Sequence, residues 1–234
     1  MTGRGAPPPL AATDAVVQVR TSCTTQPGLT GSTLADAVVQ LTRLDPHLAC
    51  LVDEYGPPPL WARPPGFATL TRIILEQQVS LASAAALYAR LERELGEGLP
   101  PAGVVAEGTD GLRRLGVTRQ KASYVTALAA RVCSGDLCLA ELEWTPDEEV
   151  VARLTRLPGI GKWTASIYLL MALLRPDVWP ENDLALYRMM ERRHRGSRFG
   201  AEDALRSAEA WRPWRAVAAR ILWHEYLSER GRAG

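Results

Sequence analysis

The sequence predicts an all-α fold of about nine to eleven short helices. Three observations lead there. From Ser32 onward apolar residues recur at helical spacing, no segment alternates like a strand for long, and Gly, Pro, Asp or Thr punctuates the apolar runs. In order, "STLADAVVQLTRLDP" has a hydroxyl cap and an Asp-Pro stop, and "PHLACLVDEYGPPP" ends in Gly and three prolines. "GFATLTRIILEQQVS" and "LASAAALYARLERELG" follow, then "TDGLRRLG" and "TRQKASYVTALAARVCSG" with its terminal Gly. "TPDEEVVARLTR" reads as a helix opened by a capping box, Thr145 with Glu148, and by Pro146 in its first turn. The last helices are the continuation from Arg156, then "LALYRMMERRH", "AEDALRSAEAW" and "PWRAVAARILWHEYLSE".

Residues 1–32 are rich in Pro, Thr, Gly and Ser and read as a flexible tail, leaving 33–234 as one helical domain. With 47% hydrophobic residues the chain has ample material for a core. Lys and Arg total 27 against 26 Asp and Glu, a formal charge of +1, so bulk electrostatics neither selects nor excludes a polyanionic partner. Lysine occurs only at Lys121 and Lys162, while arginine is dense from Arg188 to Arg232. Its planar fork suits phosphate there, and a solvated arginine-rich surface fits the same composition equally well. Cys23, Cys50, Cys133 and Cys138 stand at spacings that match no zinc, iron-sulfur or small disulfide pattern, and a reducing cytoplasm is the expected setting. No apolar run reaches the ~18 residues of a membrane span, and the N-terminus has no secretory pattern.

The stretch "LTRLPGIGKWTASIYLL", Leu154 to Leu170, breaks its helical pattern with a proline and two glycines. Those residues cost a helix interior roughly 3 and 1 kcal/mol relative to Ala, so a turn is required there. Two helices joined by "LPGIG" form a hairpin, and glycines in such a loop allow positive φ and bare the backbone amides. Amides at a helix N-terminus favour phosphate without reading sequence, although the same loop also serves as a plain packing turn.

"LPGIGKWTA" resembles the helix-hairpin-helix of the DNA glycosylase superfamily, and "RPDVWPENDLAL" resembles that superfamily's Gly-Pro-Asp region. "ILEQQVSLASA" and "WRPWRAVAARILWHEY" are similar to the corresponding segments of its AlkA-type, alkylpurine (3-methyladenine II) branch. The resemblance runs from about Leu34 to Glu229 with the segments in order. It implies two helical lobes around a DNA- and base-binding cleft, without the N-terminal mixed α/β domain of larger members.

The resemblance also implies the site. Asp183, alone readable as a helix cap, becomes the catalytic aspartate. Trp163 and Trp223 become walls of a base pocket, which Tyr168, one turn beyond Trp163, extends. Gly159, Gly161, Lys162 and Thr164 bind the DNA backbone, Gln78 is the wedge that fills the gap left by a flipped base, and Gln77 stands beside it. Carbonyls of Thr155, Leu157 and Ile160 hold a monovalent cation. One carboxylate suffices for an alkylated purine that is already cationic and leaves neutral, and Glu181 reads as a solvated loop residue. Members that also cut the strand carry a lysine two residues after the second hairpin glycine, where this chain has Trp163. The expectation is a monofunctional glycosylase, with no cofactor and no iron-sulfur cluster, acting as a monomer on double-stranded DNA with alkylated bases. Its expected location is the cytoplasm, associated with the nucleoid. A backbone-binding protein with weak catalysis and a helical protein-interaction module are the competing readings.

Overall fold

A computed structural model describes residues 28–193 and 200–232. Among these residues it contains eleven α-helices, one 3-10 turn and no strand. The tail expected over residues 1–32 lies largely outside the described residues. Its end does not behave as a tail: Leu29 is buried, and its amide donates to the Leu174 carbonyl at 2.7 Å.

Helices α1 (Gly31–Leu44) and α2 (Pro46–Tyr55) form a corner at Asp45. The Thr30 hydroxyl caps α1, and the Asp45 carboxylate caps α2 by accepting from the His47 amide at 3.0 Å. Asp45 also accepts from the Trp211 indole at 2.9 Å, which fastens this corner to the C-terminal helices. Next come α3 (Phe67–Glu76), α4 (Leu81–Leu95), α5 (Pro101–Arg114) and α6 (Arg119–Cys133). Gly108, at φ 66°, breaks α5 ahead of its last turns. The 3-10 turn Ala140–Trp144 leads into α7 (Asp147–Leu154), then α8 (Lys162–Met171), α9 (Leu184–Arg193), α10 (Ala201–Glu209) and α11 (Arg215–Arg232).

The expected capping box at α7 is absent. Pro146 occupies the cap position without a side-chain bond, and the Thr145 hydroxyl turns back to donate to the Glu141 carbonyl at 2.8 Å. The preceding 3-10 turn supplies that acceptor and wins the hydroxyl.

Helices from both ends of the chain pack together, with α11 against α1, α2, α9 and α10, while α3 to α6 pack on one another. Helix α8 contacts α3 and α7 and is buried along Thr164 to Leu170, as expected of a helix apolar all round. Each of its fully buried large side chains contributes about 1.5–3 kcal/mol.

The connector between α2 and α3, residues 57–66, is extended and proline-rich, and it runs over α8. Four hydrogen bonds hold it. The Arg63 amide donates to the Met171 carbonyl (2.8 Å), and the buried Arg220 guanidinium to the Leu60 carbonyl (3.0 Å). The Gly66 amide donates to the Tyr168 hydroxyl (3.0 Å), and the Thr69 hydroxyl to the Pro64 carbonyl (2.6 Å). Arg220 also reaches the Leu170 and Ala216 carbonyls, and burial pulls its guanidinium down to about 10.

Candidate active site

Asp183 sits immediately before α9 and is 7% exposed. Its Oδ1 accepts from the amides of Ala185 (2.9 Å) and Leu186 (3.0 Å), which is helix capping, and from the Trp223 indole at 3.3 Å. Its Oδ2 accepts from the Trp163 indole at 2.9 Å. Capping therefore consumes one oxygen, and the other, with a single donor among the described residues, keeps the capacity to accept again. The loop before Asp183 is braced by Asn182, at φ 62°, whose amide donates to the Tyr187 hydroxyl at 2.6 Å.

Asp183, Trp163 and Trp223 line one cavity of about 510 Å³. Its other walls include Trp61, Ala62 and Arg63 from the connector, Arg72 and Glu76 from α3, Ile167 and Met171 from α8, and Tyr226 from α11. A space of that size and lining suits a planar, partly polar molecule. The expected pocket residue Tyr168 is not among its walls. It is completely buried behind the cavity, with its hydroxyl on the Gly66 amide, and Ile167 takes the place expected of it. Burial raises the Tyr168 phenol above its usual range.

Sequence reasoning alone misses Glu76 in this cavity. Arg63 grips it through two bonds, Nη1 to Oε2 at 2.9 Å and Nη2 to Oε1 at 3.1 Å, and Arg72 Nε adds a third to Oε1 at 3.2 Å. It misses Trp61 as well, whose backbone holds an unfavourable φ of 50°.

The hairpin lies beside a second concavity of about 920 Å³, lined by Gln77, Gln78, Arg119, Lys121, Tyr124, Thr155, Leu157, Gly159, Ile160 and Gly161 among others. The two glycines differ. Gly159 has φ 80°, and a Cβ there would collide with the Tyr124 ring. Gly161 has φ −92°, and a Cβ there would meet nothing, so neither backbone conformation nor internal packing demands glycine. Among the described residues, the amides of Gly161, Lys162, Trp163 and Thr164 donate to no protein acceptor, while the next amide, Ala165, returns to the Gly161 carbonyl at 3.0 Å. These four amides are thus free donors at a helix N-terminus without a side-chain cap.

Gln77 braces this loop from α3. Its amide nitrogen donates to the Gly159 carbonyl (3.0 Å) and to the hydroxyl of the buried Thr164 (2.9 Å). Lys121 braces the turn after α3 by donating to the Leu75 and Gln77 carbonyls, both at 2.7 Å, and burial lowers its ammonium from the usual lysine range. Gln78 is exposed at φ 56°, next to the exposed apolar side chains of Val79 and Leu81. Lys162 is exposed but lines neither space described above. It faces a separate groove with Asp147, Glu148, Asp177 and Glu181. Arg119, exposed on the hairpin side, supplies a cation there that the sequence does not single out.

The carbonyls of Thr155 and Ile160 accept no hydrogen bond among the described residues, and that of Leu157 accepts one, from the Ile160 amide at 3.2 Å. Three carbonyl oxygens in one loop are hard donors of the kind that suits a monovalent cation. No group of His, Cys, Asp or Glu side chains among the described residues could hold a metal ion, and no helix among them is long and apolar enough to cross a membrane.

The chain is similar to known proteins in sequence and in fold. YfjP of Bacillus subtilis is 28% identical over 184 residues, 75% of this chain and 64% of that one. DNA-3-methyladenine glycosylase 1 of Schizosaccharomyces pombe is 28% identical over 199 residues, 82% of this chain and 87% of that one. The solved structure of the 3-methyladenine DNA glycosylase of that yeast in complex with abasic DNA superimposes with a TM-score of 0.72 at 26% identity, over 83% of this chain and 97% of the other. Residues 71–215, more than half of the chain, match the profile of the HhH-GPD superfamily base excision DNA repair proteins, and with the hairpin, the Asp183 loop and the cleft in that order the chain belongs to this superfamily.

Proposed function

We propose that the protein is a DNA glycosylase that hydrolyses the N-glycosidic bond of alkylated bases such as 3-methyladenine in double-stranded DNA. The observation that carries this reading is the Asp183 carboxylate. It is fixed by four donors in the wall of a base-sized cavity flanked by Trp163 and Trp223. The alkylated-base preference rests on the relatives named above and on the two indoles, which favour a cationic base by roughly 0.5–2 kcal/mol each.

In this reading the free amides of Gly161 to Thr164 hold a backbone phosphate, with Arg119 and Lys162 as nearby charges and a monovalent cation on the Thr155, Leu157 and Ile160 carbonyls adding to the positive field. Asp183 lies beside that grip, because Trp163 in the first turn of α8 donates to its Oδ2 at 2.9 Å. Gln78 enters the stack as the base turns out into the cavity. Oδ2 of Asp183 then stabilises the positive charge developing on the sugar and accepts from the attacking water, and the base leaves into the cavity.

The enzyme is monofunctional in this proposal. Of the two lysines in the chain, Lys121 is tied to two carbonyls and Lys162 lines a groove apart from the cavity. That neither amine lines the cavity supports this assignment, because a Schiff base needs an amine at the sugar. Release of methylated bases from alkylated DNA by the wild type, and its loss in Asp183→Asn, tests the glycosylase reading. Borohydride trapping tests the rest: a covalent protein-DNA adduct formed during turnover would refute the monofunctional assignment.

A further inference from the structure

Resting on the glycosylase reading, we propose that Arg63 determines base specificity. Its guanidinium, aimed by Glu76, donates to the 6-oxo group of a flipped purine and thereby sets the rate for 6-oxopurines relative to 6-aminopurines.

The connector that carries Arg63 is fixed independently of any ligand, by the Met171 carbonyl under the Arg63 amide and by Arg220 under Leu60. The side chain reaches the cavity wall, where the two bonds to Glu76 hold the guanidinium plane. Both bonds use the terminal nitrogens, Nη1 and Nη2, so Nε and the second hydrogen on each terminal nitrogen remain undonated among the described residues. A side chain that is 20% exposed and whose rotamer is already fixed loses little entropy on making a further bond.

The partner chemistry follows from charge and donor count. Asp183 and Glu76 balance Arg63 and Arg72 on the cavity wall. Asp183 is the carboxylate that faces a positive sugar in this reading, whereas Glu76 is covered by the guanidiniums of Arg63 and Arg72, whose remaining N–H groups are donors. Guanidinium N–H groups complement the O6 acceptor of guanine or hypoxanthine and oppose the exocyclic amine of a 6-aminopurine. As the glycosidic bond breaks, its electron pair passes to the base, and in a 6-oxopurine part of that density reaches O6. The donor therefore strengthens in the transition state, which is the condition for a gain in rate as well as in affinity.

One sample of methylated duplex DNA contains both 7-methylguanine and 3-methyladenine, so the ratio of the two released bases is an internal measure. Wild type should release both. In Arg63→Met the 7-methylguanine to 3-methyladenine ratio should fall about tenfold or more, the loss expected for one charge-assisted hydrogen bond. Glu76→Gln, which keeps the shape but weakens the clamp, should lower the ratio by a smaller factor, and Arg63→Lys should fail to restore it because an ammonium lacks the fork. Binding to abasic-site DNA, which lacks the base, checks that each variant is folded; if Arg63→Met fails that check, the ratio measured for Arg63→Lys decides in its place. An unchanged ratio in a folded variant, equal loss of both bases, or release of 3-methyladenine without 7-methylguanine by wild type each overturns this inference and leaves the glycosylase reading standing. If wild type releases no base at all, the glycosylase reading fails, and this inference fails with it.

Discussion

Asp183→Asn separates the chemical role of this residue from its structural one, because all four groups that touch the carboxylate are donors. Asparagine can keep its oxygen toward the Ala185 and Leu186 amides and the Trp223 indole. Its NH₂ then replaces Oδ2 opposite the Trp163 N–H at 2.9 Å, donor against donor. The flipped amide is worse, with its NH₂ against three donors. The substitution thus conserves shape and the helix cap but loses one charge-assisted bond to a part-buried indole, a cost of about 1.5–3 kcal/mol. With about 2 cal/mol/K of unfolding entropy per residue over roughly 200 residues, that lowers Tm by about 3–8 °C. If Asp183 acts as proposed, base release should fall by a factor of about 100 or more, since the carboxylate charge that stabilises the developing oxocarbenium is gone.

Trp163→Phe supplies the control. It removes the indole N–H, so in the Asp183→Asn background it should relieve the donor conflict, and the double mutant should be more stable than the sum of the single effects by about 1 kcal/mol. Base release should not recover. Thermal unfolding and single-turnover release from methylated DNA, measured on the wild type and three variants, give both quantities. Turnover of Asp183→Asn within a few fold of wild type would reduce Asp183 to a helix cap, and strictly additive stabilities would refute the indole-carboxylate geometry.

The hairpin glycines should respond differently: Gly159→Ala meets Tyr124 at a positive φ and should lower Tm, while Gly161→Ala should leave Tm nearly unchanged and weaken DNA binding similarly across sequences, as titration by fluorescence anisotropy would register. Gln78→Ala should slow excision from stable base pairs more than from mismatches, where flipping costs less, and equal slowing would remove its wedge role. Burial, with the like charges of Glu229 and Glu54 outweighing Arg192, pushes the Glu225 carboxyl up to about 7 from 4.5, beside Tyr55. Because that group is protonated in the folded chain while the unfolded chain has already ionised, stability should fall as pH rises from about 4.5 to 7 and level off above. Glu225→Gln should remove on the order of 2 kcal/mol of that fall in unfolding measured across the same range.

The hairpin and Asp183 are legible in the sequence because turn chemistry is local: a proline and two glycines within five residues admit few helix-helix connections, and an Asp before an apolar-periodic run marks a helix start. In sequence the helix cap and the catalytic role compete for Asp183, yet a carboxylate has two oxygens: Oδ1 caps α9, and Oδ2 stays available for the role proposed above. The cavity's far wall is not legible. Trp61, Arg63 and Glu76 lie in what reads as a proline-rich connector and the end of an apolar helix, and only tertiary packing over α8 brings them to Asp183, more than 100 positions away in sequence.

The misplaced Tyr168 has a more specific cause. A helix turns 100° per residue, so assigning its faces requires a polar stripe to set the phase. Helix α8 has no such stripe between Thr164 and Leu170, where every residue is buried. Its three faces emerge only in the structure: Trp163, Ile167 and Met171 toward the cavity beside Asp183, Thr164 and Tyr168 toward α3 and the connector, and Lys162, Ser166 and Leu169 toward the acidic groove. The spacing of four between Trp163 and Ile167, and again to Met171, is a straight ridge on a helix, and the same spacing carries Thr164 to Tyr168 on the neighbouring ridge. Once Trp163 is known to bond Asp183, this arithmetic alone assigns Ile167 to the cavity and moves Tyr168 behind it. There its hydroxyl holds Gly66 of the connector, so it supports the wall that carries Trp61 and Arg63 and does not itself line the cavity.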